Sequence, residues 1–544
     1  MCIFHMCKRY LLNHKCPLML YIVINLIVGG IAILTPYLTG DFIDTLVLGK
    51  GLKTIYNFCA ILAAINIARL LLGYYTSVIY IKMQARMGYD FNKAVITHVQ
   101  RLSLSFINNS DTAYLNQIIN NDTNALIIFC ITVVQNFITN LLYLAIPLVI
   151  SFKINSLITM LLMVFVIIYL FLFIIFKKPL YTVNMRMKEG QSKFFSKLHE
   201  QFQLIRFIKI HSVESEFHER LDDSFDHLLE VTMVNQRFSY IYSGLDNIVS
   251  LLVQIMLYLV GGVQIYRGHF TIGMFTIFFS YFNMMLGSIR YFFSFGKTYQ
   301  DTLVSYNRLN NIMEEIEESN GKIEIRDVNL IDTKDLFFSY GNKEVLRSTN
   351  LSFQKGSSYA VVGDNGTGKS TLINLLIGLY ADERKGLIYY DETSLNKLDM
   401  RLIRKNVIGI SEQEPILIND SIKYNLHLGI EFDEKADGEQ LQRYMELLNM
   451  SDFINNLPDG YNTVINERST NISGGEKQKL SILRVLMKNP YVMVFDEPTS
   501  ALDERSSRRF MEYLDSIKFD KIIILVTHNK LVMGYVDYVY CLNK

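Results

Sequence analysis

Six long apolar segments constrain the fold of this chain more than any other feature. They run roughly Leu18–Thr39, Phe58–Tyr80, Ala125–Ser151, Ser156–Phe176, Tyr242–Tyr266 and Ile272–Phe293. Each meets the roughly 20 apolar residues that a helix needs to cross a bilayer. The connections alternate in length. The links after the first, third and fifth segments are short, and the third is little more than Phe152–Asn155. By contrast, Ile81–Asn124 and Lys177–Ser239 are long, polar and helical in pattern. A soluble bundle of six buried helices is the competing fold, but buried helices rarely run this long without a charged face.

Charge placement orients the segments. Lys8, Arg9 and Lys15 precede the first segment, and Lys82, Arg86, Lys93 and Arg101 follow the second. Lys177, Lys178, Arg186, Lys188, Lys193 and Lys197 follow the fourth, while the short links carry far fewer basic residues. The positive-inside rule therefore predicts that both termini and both long loops are cytoplasmic. With no Trp, an aromatic girdle at the membrane surfaces falls to the 33 tyrosines. The N-terminus has no small-residue cleavage site after its first apolar run and reads as an amphipathic segment on the membrane. The net charge of +1 offers no basic field, so nucleic acid is not an expected partner. Cys2, Cys7, Cys16, Cys59, Cys130 and Cys541 form no pair at metal-ligand spacing and read as reduced, structural residues.

After about Asn307 the chain changes character. A charged helical stretch, Met313–Gly321, reads as helix followed by linker, and from about Lys322 short β-rich runs alternate with helices. That alternation predicts an α/β domain. Within it, Gly363, Asp364, Asn365, Gly366, Thr367, Gly368, Lys369 and Ser370 match GxxxxGK[ST], between an apolar strand (358–362) and a helix opening near Thr371. Glycines let backbone N–H groups turn toward a phosphate, and the helix N-terminus adds positive potential. Lys369 can reach the β- and γ-phosphates, and the Ser370 hydroxyl can hold Mg²⁺. Tyr491–Glu497 reads as an apolar strand ending in two carboxylates. Asp496 at that tip can bind Mg²⁺, and Glu497 can deprotonate the attacking water. A solvated acidic turn is the bland reading of the same residues; the phosphate loop tips the balance toward catalysis.

Between these motifs lies Asn471-Ile-Ser473-Gly474-Gly475-Glu476. Here the chain resembles the ATP-binding cassette (ABC) superfamily, whose signature is LSGGQ. The resemblance covers nearly the whole sequence. It implies an all-α six-helix transmembrane domain over 1–310, a linker over 311–325 and an α/β P-loop ABC ATPase domain over 326–544. By the same resemblance Tyr340 stacks on adenine, and Gln413 is the Q-loop glutamine that touches Mg²⁺ and the water. Ser500–Asp503 is similar to the D-loop, His528 to the switch histidine near the γ-phosphate, and Glu467 to the X-loop acid. Ser473, Gly474 and Gly475 then contact nucleotide held by a second copy, so that two cassettes enclose two ATP molecules. Glu476 departs from the signature Gln and brings a carboxylate toward that region. Intact Glu497 and His528 favour a homodimer over a heterodimer.

The membrane half resembles the six-helix type IV exporters. Residues 105–112 look like the first coupling region and Arg206–Glu214 is similar to the second. Fusion of both halves in one chain favours export, although some type IV proteins import. The expectation is a multi-pass bacterial cell-membrane protein exporting a peptide, lipid or hydrophobic small molecule, without trimming its own cargo. The alternative from another class is a non-transporting ATPase. Within the spans, Arg69, Asp246, Gln135, Asn136 and Asn140 are the polar candidates. Intramembrane ionisable groups are functional candidates, with interhelical contact as the plainer role. Arg69 is the residue expected to face cargo.

Overall fold

The computed structural model describes the chain apart from residues 1, 50, 51, 111–114, 117, 431–435, 466–471, 543 and 544. It divides into two compact units, one of Met1–Ile96 with Asn116–Met313, the other of Thr97–Leu115 with Glu314–Lys544.

The first unit is helical. The chain runs through α1 (Cys2–Asn13), α2 (Lys15–Val47), α3 (Leu52–Val99), α4 (Leu104–Asn109), α5 (Thr123–Ile154), α6 (Ser156–Gln203), α7 (Ile205–His211), α8 (Glu214–Tyr266) and α9 (Ile272–Glu314). Of these, α4 belongs to the second unit. Among the described residues six helices are long and apolar enough to cross a membrane, and each contains one of the segments marked in the sequence. Helix is the form that satisfies every backbone polar group within the segment, as hydrocarbon requires. Four of them, α3, α6, α8 and α9, continue far past their apolar stretches; at 48 residues, α3 is about 70 Å long.

Interhelical contacts fix the ends of this bundle. The backbones of α2 and α9 meet at Gly40 and Gly273, where a Cβ on Gly273 would lie 2.0 Å from the Gly40 carbonyl oxygen. Beside them Asp44 accepts from Gly273 N at 2.7 Å and from the Thr271 hydroxyl at 2.6 Å, so one helix end caps the start of another. At the opposite end a π-helical turn, Ile118–Asp122, precedes α5. Buried Asp122 there accepts from Arg308 Nη2 at 2.7 Å and Ser305 Oγ at 2.8 Å, both on α9.

Two of the polar candidates in the spans, Asp246 and Gln135, find side-chain partners. Asp246 on α8 pairs with Arg290 on α9 at 2.6 Å, and Arg290 also donates to Ser250 at 3.3 Å. Gln135 is buried between Tyr21 on α2 and Thr139 on its own helix. Both act as contacts between or along helices. Arg69 is exposed on α3. The N-terminal α1 buries Ile3 and Cys7, and its Phe4 ring lies 6.4 Å from Phe129 of α5.

The second unit contains β1 (Leu330–Tyr340), β2 (Lys343–Gln354), β3 (Ser357–Val362), β4 (Lys385–Tyr390), β5 (Thr393–Ser394), β6 (Ile408–Ser411), β7 (Asp420–Ser421), β8 (Val464–Ile465), β9 (Val492–Asp496), β10 (Ile522–Val526) and β11 (Tyr538–Cys541). One sheet is antiparallel in the order β2-β1-β4-β5; the other has the order β11-β3-β10-β9-β6 and is parallel throughout. The central strands of the parallel sheet are buried on both faces. Val492, Val494, Ile522 and Ile524 enter one core cluster, and the alternating Met493, Phe495, Ile523 and Leu525 enter the other. This two-sided burial explains why the strands read as continuous apolar runs. The α/β expectation for this half holds.

Two further segments complete this unit. Residues 97–115 carry α4, capped by the Ser103 hydroxyl, with Leu104 packed on the core. The stretch after α9 is pinned by Glu318, which takes Arg404 in a two-pronged pair at 2.8 and 3.1 Å, and whose N–H donates to the Arg101 carbonyl at 2.8 Å.

Candidate functional site

The parallel register assembles the site. Val526 of β10 pairs with Val361 of β3 on one side and with Asp496 of β9 on the other. The loop after β3, the acid tip of β9 and the Thr527–His528 turn therefore emerge together at the carboxyl ends of the strands. Ligands of open α/β sheets bind at that edge.

The loop 363–368 leads into the helix Lys369–Leu376, which starts two residues before Thr371. Its N-cap, Gly368, has φ +95°, and a Cβ there would meet Val345 Cγ1 at 2.7 Å. Only glycine combines that backbone with that approach. Lys369 Nζ donates to the carbonyls of Gly363 at 2.7 Å and Asp364 at 3.1 Å, curling over the loop. Thr367 is buried and donates to the Asp364 carbonyl, while Asp364, Asn365 and Gly366 are exposed. The loop thus presents its backbone outward with one cation above it.

The acids lie against this loop. Ser370 Oγ donates to Asp496 Oδ2 at 3.1 Å. Asp496 is buried, and that burial raises its carboxyl pKa; the Ser370 bond opposes the rise, Glu497 adds to it, Lys369 opposes it and Glu412 adds to it. Next to it, Glu497 adopts φ +51°, an uncommon backbone for a residue with a side chain. The strain is held in place on both sides. Its N–H donates to the Val526 carbonyl at 2.9 Å, and its carbonyl accepts from Gln478 Nε2 at 2.7 Å and from Ser500 N at 3.2 Å. The result aims the Glu497 carboxylate at His528, whose Nδ1 lies 2.8 Å from Oε1. The Glu497 side chain is 10% exposed and that of His528 78%, so the pair joins a buried carboxylate to an outward-facing ring.

A divalent cation fits the donor set. Ser370 and Asp496 supply one hydroxyl and one carboxylate, and Mg²⁺ usually takes one or two protein oxygens with substrate phosphates and water completing its shell. The raised Asp496 carboxyl marks a spot where added positive charge is favourable. Gln413, two residues past Ser411, is exposed and stands outside the contacts that join Ser370, Asp496, Glu497 and His528. Tyr340 ends β1 and is 44% exposed; its hydroxyl lies 3.5 Å from Thr371 Oγ1. An aromatic face is thereby available beside the phosphate loop.

Ser473, Gly474 and Gly475 open the helix Gly474–Lys488, with Ser473 and Gly474 exposed. Glu476 folds back, accepting from Ser473 N at 2.7 Å while the Ser473 hydroxyl accepts from Glu476 N at 3.3 Å. The carboxylate that departs from the signature pattern is therefore a reciprocal helix cap. The described hydrogen bonds of Ser473 and Glu476 stay within this helix start. Asn471 and Glu467 lie outside the described residues. Asp503 caps the helix Glu504–Ile517.

Sequence reading missed Gln478, which is buried, holds the Glu497 carbonyl and lies 2.8 Å from the Ser500 hydroxyl. A buried amide on the core face of an amphipathic helix is the one signal it offered. Asn529, one residue past His528, was also missed; its Nδ2 donates to Thr499 at 3.2 Å.

Residues 346–500 match the family described as "ABC transporter", and residues 18–289 match the "ABC transporter transmembrane region". A putative multidrug export ATP-binding/permease protein of Staphylococcus aureus strain NCTC 8325 is 28% identical over 555 residues, spanning 98% of this chain and 94% of the relative. Its counterpart in the bovine strain RF122 is 28% identical over 563 residues with the same coverage. A solved "Structure of a bacterial Atm1-family ABC exporter with ATP bound" superposes with a TM-score of 0.83 at 20% identity, covering 97% of this chain and 94% of that one. That likeness shows the fold.

Proposed function

This chain belongs to the ABC transporter family, as a transmembrane region fused to its transport ATPase, and we propose that it is one half of an ATP-driven exporter. In this reading 1–310 form the membrane domain, 311–325 the linker and 326–544 the ATPase domain. The protein lies in a bacterial cell membrane with both termini cytoplasmic, and two copies make the working unit. The observation that carries the proposal is the Glu497–His528 contact of 2.8 Å beside Ser370–Asp496 at 3.1 Å, on a chain whose described residues include six helices long and apolar enough to cross a membrane.

The roles proposed for the site residues are those the resemblance implies, and the contacts among Ser370, Asp496, Glu497 and His528 support them. The phosphate loop and Lys369 bind the β- and γ-phosphates of ATP, and Tyr340 stacks on adenine. Ser370 and Asp496, with Gln413, would hold Mg²⁺, which would supply positive charge to the phosphates. Glu497 takes the proton of the attacking water, and His528 orients that carboxylate and meets the γ-phosphate. The exposed start of the Ser473–Gly475 helix offers backbone N–H groups to an anion. Its own chain already has a phosphate loop, so the signature serves nucleotide on a second copy. ATP then favours the closed pair and hydrolysis the open one, and alternating access follows from that difference in affinity between two states.

For cargo, the printed names of the relatives speak of multidrug export. The membrane unit supports an apolar cargo with a cavity of about 140 Å³, lined by residues such as Leu148, Met163, Val253, Phe282 and Met285. A dry cavity of comparable volume, roughly 150 Å³, holds a benzene ring. Mg²⁺-ATP added to inside-out vesicles should drive a lipophilic dye into the lumen. Dye leaving preloaded vesicles on ATP addition would indicate import by the same architecture.

A further inference from the structure

Two different kinds of contact close the cavity of the membrane unit, one at each end. Along α8 the order is Asp246, then the cavity-lining Ser250 and Val253, then Leu257. Along α9, read backwards, it is Arg290, Met285, Phe282 and Phe278. At one end Leu257, Phe278, Ile158 and Phe270 form an apolar cluster, with the Phe270 and Phe278 rings edge-on and 6.3 Å apart. At the other end Arg290 Nη2 donates to Asp246 Oδ2 at 2.6 Å and to Ser250 Oγ at 3.3 Å. Ser250 lines the cavity and Asp246 lies one helical turn before it, so the ion pair forms the floor. That floor faces the cytoplasm in the proposed topology, because α8 enters the membrane from the basic segment Lys177–Ser239.

The two closures differ in what opening costs. Parting the apolar cluster wets hydrocarbon and gains nothing in return. Parting the ion pair lets both charges hydrate, which offsets much of the lost attraction, since a buried pair has already given up its water. This pair is also incompletely satisfied. Asp246 Oδ1 is buried beside Leu172, Tyr242 and Leu245, with no hydrogen-bond partner among the described residues. A dry carboxylate oxygen gains from water when the floor opens. The Asp246 side chain is 16% exposed and that of Arg290 43%, so Arg290 is the movable arm. A plain tie between helices needs neither an unsatisfied oxygen nor a place at a cavity floor.

We infer that the Asp246–Arg290 pair is an ionic latch on the cytoplasmic floor of this cavity, and that cargo enters when the latch parts while the aromatic cluster keeps the outer end shut. The inference rests on the proposed reading of the cavity as the path of an apolar cargo. Asp246 and Arg290 are then positioning residues for transport.

The test uses the full-length chain with its native cysteines replaced, in inside-out vesicles whose outer surface is the cytoplasmic face. Val249→Cys reports on the cavity and Leu257→Cys on the outer cluster. Two membrane-impermeant methanethiosulfonates, one cationic and one anionic, are added without nucleotide, so that local charge alone does not set the rate. Asp246→Asn and Arg290→Gln should each speed labelling of Val249→Cys by about tenfold with both reagents and leave Leu257→Cys slow. Arg290→Lys, and the exchanged pair Asp246→Arg with Arg290→Asp, should return the rate to within about twofold of the parent. Unchanged labelling in both single variants would overturn the latch. So would an equal rise at Leu257→Cys, the mark of generally loosened packing, or no recovery in either charge-keeping variant. ATP-driven dye uptake separates this result from the cargo reading. A parent that moves no lipophilic dye yet shows the labelling pattern refutes the cargo path and keeps the latch as the control of the cavity; a parent that moves dye with labelling unchanged refutes the latch alone.

Discussion

Nδ1 of His528 stands 2.8 Å from Oε1 of Glu497, and Glu497 is held at φ +51° by bonds to Val526, Gln478 and Ser500. The strain, the buried carboxylate and the exposed ring converge on one place at the end of β9, where the proposed function puts the attacking water. The chemistry assigned to this chain depends on that pair.

Removing the carboxylate's charge should separate binding from turnover. Glu497→Gln should bind ATP and lose hydrolysis by about 10²–10⁴-fold, the usual contribution of a positioned base. Phosphate release and fluorescent-nucleotide binding, measured on the same preparation, check this. Turnover persisting at the parental rate would remove Glu497 from the role. Gln478→Leu, which removes the shortest of the bonds to the Glu497 carbonyl, should lower turnover more than ATP affinity.

Asp496 gives a pH signature. Its folded-state pKa is raised, chiefly by burial. In the window between the ordinary aspartate value, about 3.9, and the raised one, the folded form binds more protons than the unfolded form. Stability without nucleotide therefore falls as pH rises through that window, and stays lower above it. Asp496→Asn should stabilise the nucleotide-free protein at neutral pH and show no gain below the carboxylate range. Thermal melts at several pH values test the sign, and Mg²⁺-ATP should protect the parent more than the variant.

The segment after α9 should be anchored by Glu318. Its pair with Arg404 has side chains 12% and 22% exposed and also leans on the Ile377 carbonyl. Glu318→Gln should cost about 1.5–3 kcal/mol, the range for hydrogen bonds to charged groups. A lowered melting temperature of the ATPase unit checks it, and Arg404→Met should add little in the same background.

Backbone approach makes Gly273 intolerant. A Cβ would sit 2.0 Å from the Gly40 carbonyl oxygen and 2.5 Å from Asp44 Cγ. Gly273→Ala should cost about 3 kcal/mol or more, at the upper end for overpacking, and reduce the yield of monodisperse protein. Gly287→Ala, with no neighbour within 4 Å, is the tolerant control.

Local patterns carried most of what the sequence disclosed. The spans were legible because hydrocarbon demands a long apolar run, and the phosphate loop because its glycines and its helix are contiguous. The cap made by Ser473 and Glu476 was equally local, yet its S-x-x-E form was read as a change in the signature. Pairings across the fold were not legible. Asp246 and Arg290 meet only once two consecutive helices pack together, and Asp122 and Arg308 only once segments far apart in the chain do. Gln478 was hidden for the same reason, since its partner is a carbonyl placed by another strand. Gln413, matched through the family resemblance, stands exposed outside the contacts of the other site residues.

ATP-driven closure of the proposed pair turns on one chain's signature completing the phosphate site of a second. Two cysteine-free populations, one with Asn365→Cys and one with Gly474→Cys, both carrying Glu497→Gln, are mixed by co-expression and oxidised gently. Mg²⁺-ATP should produce a dimer-sized band on a non-reducing gel, weak without nucleotide and absent when either cysteine is missing. ATP bound to saturation with no increase in that band would contradict the account.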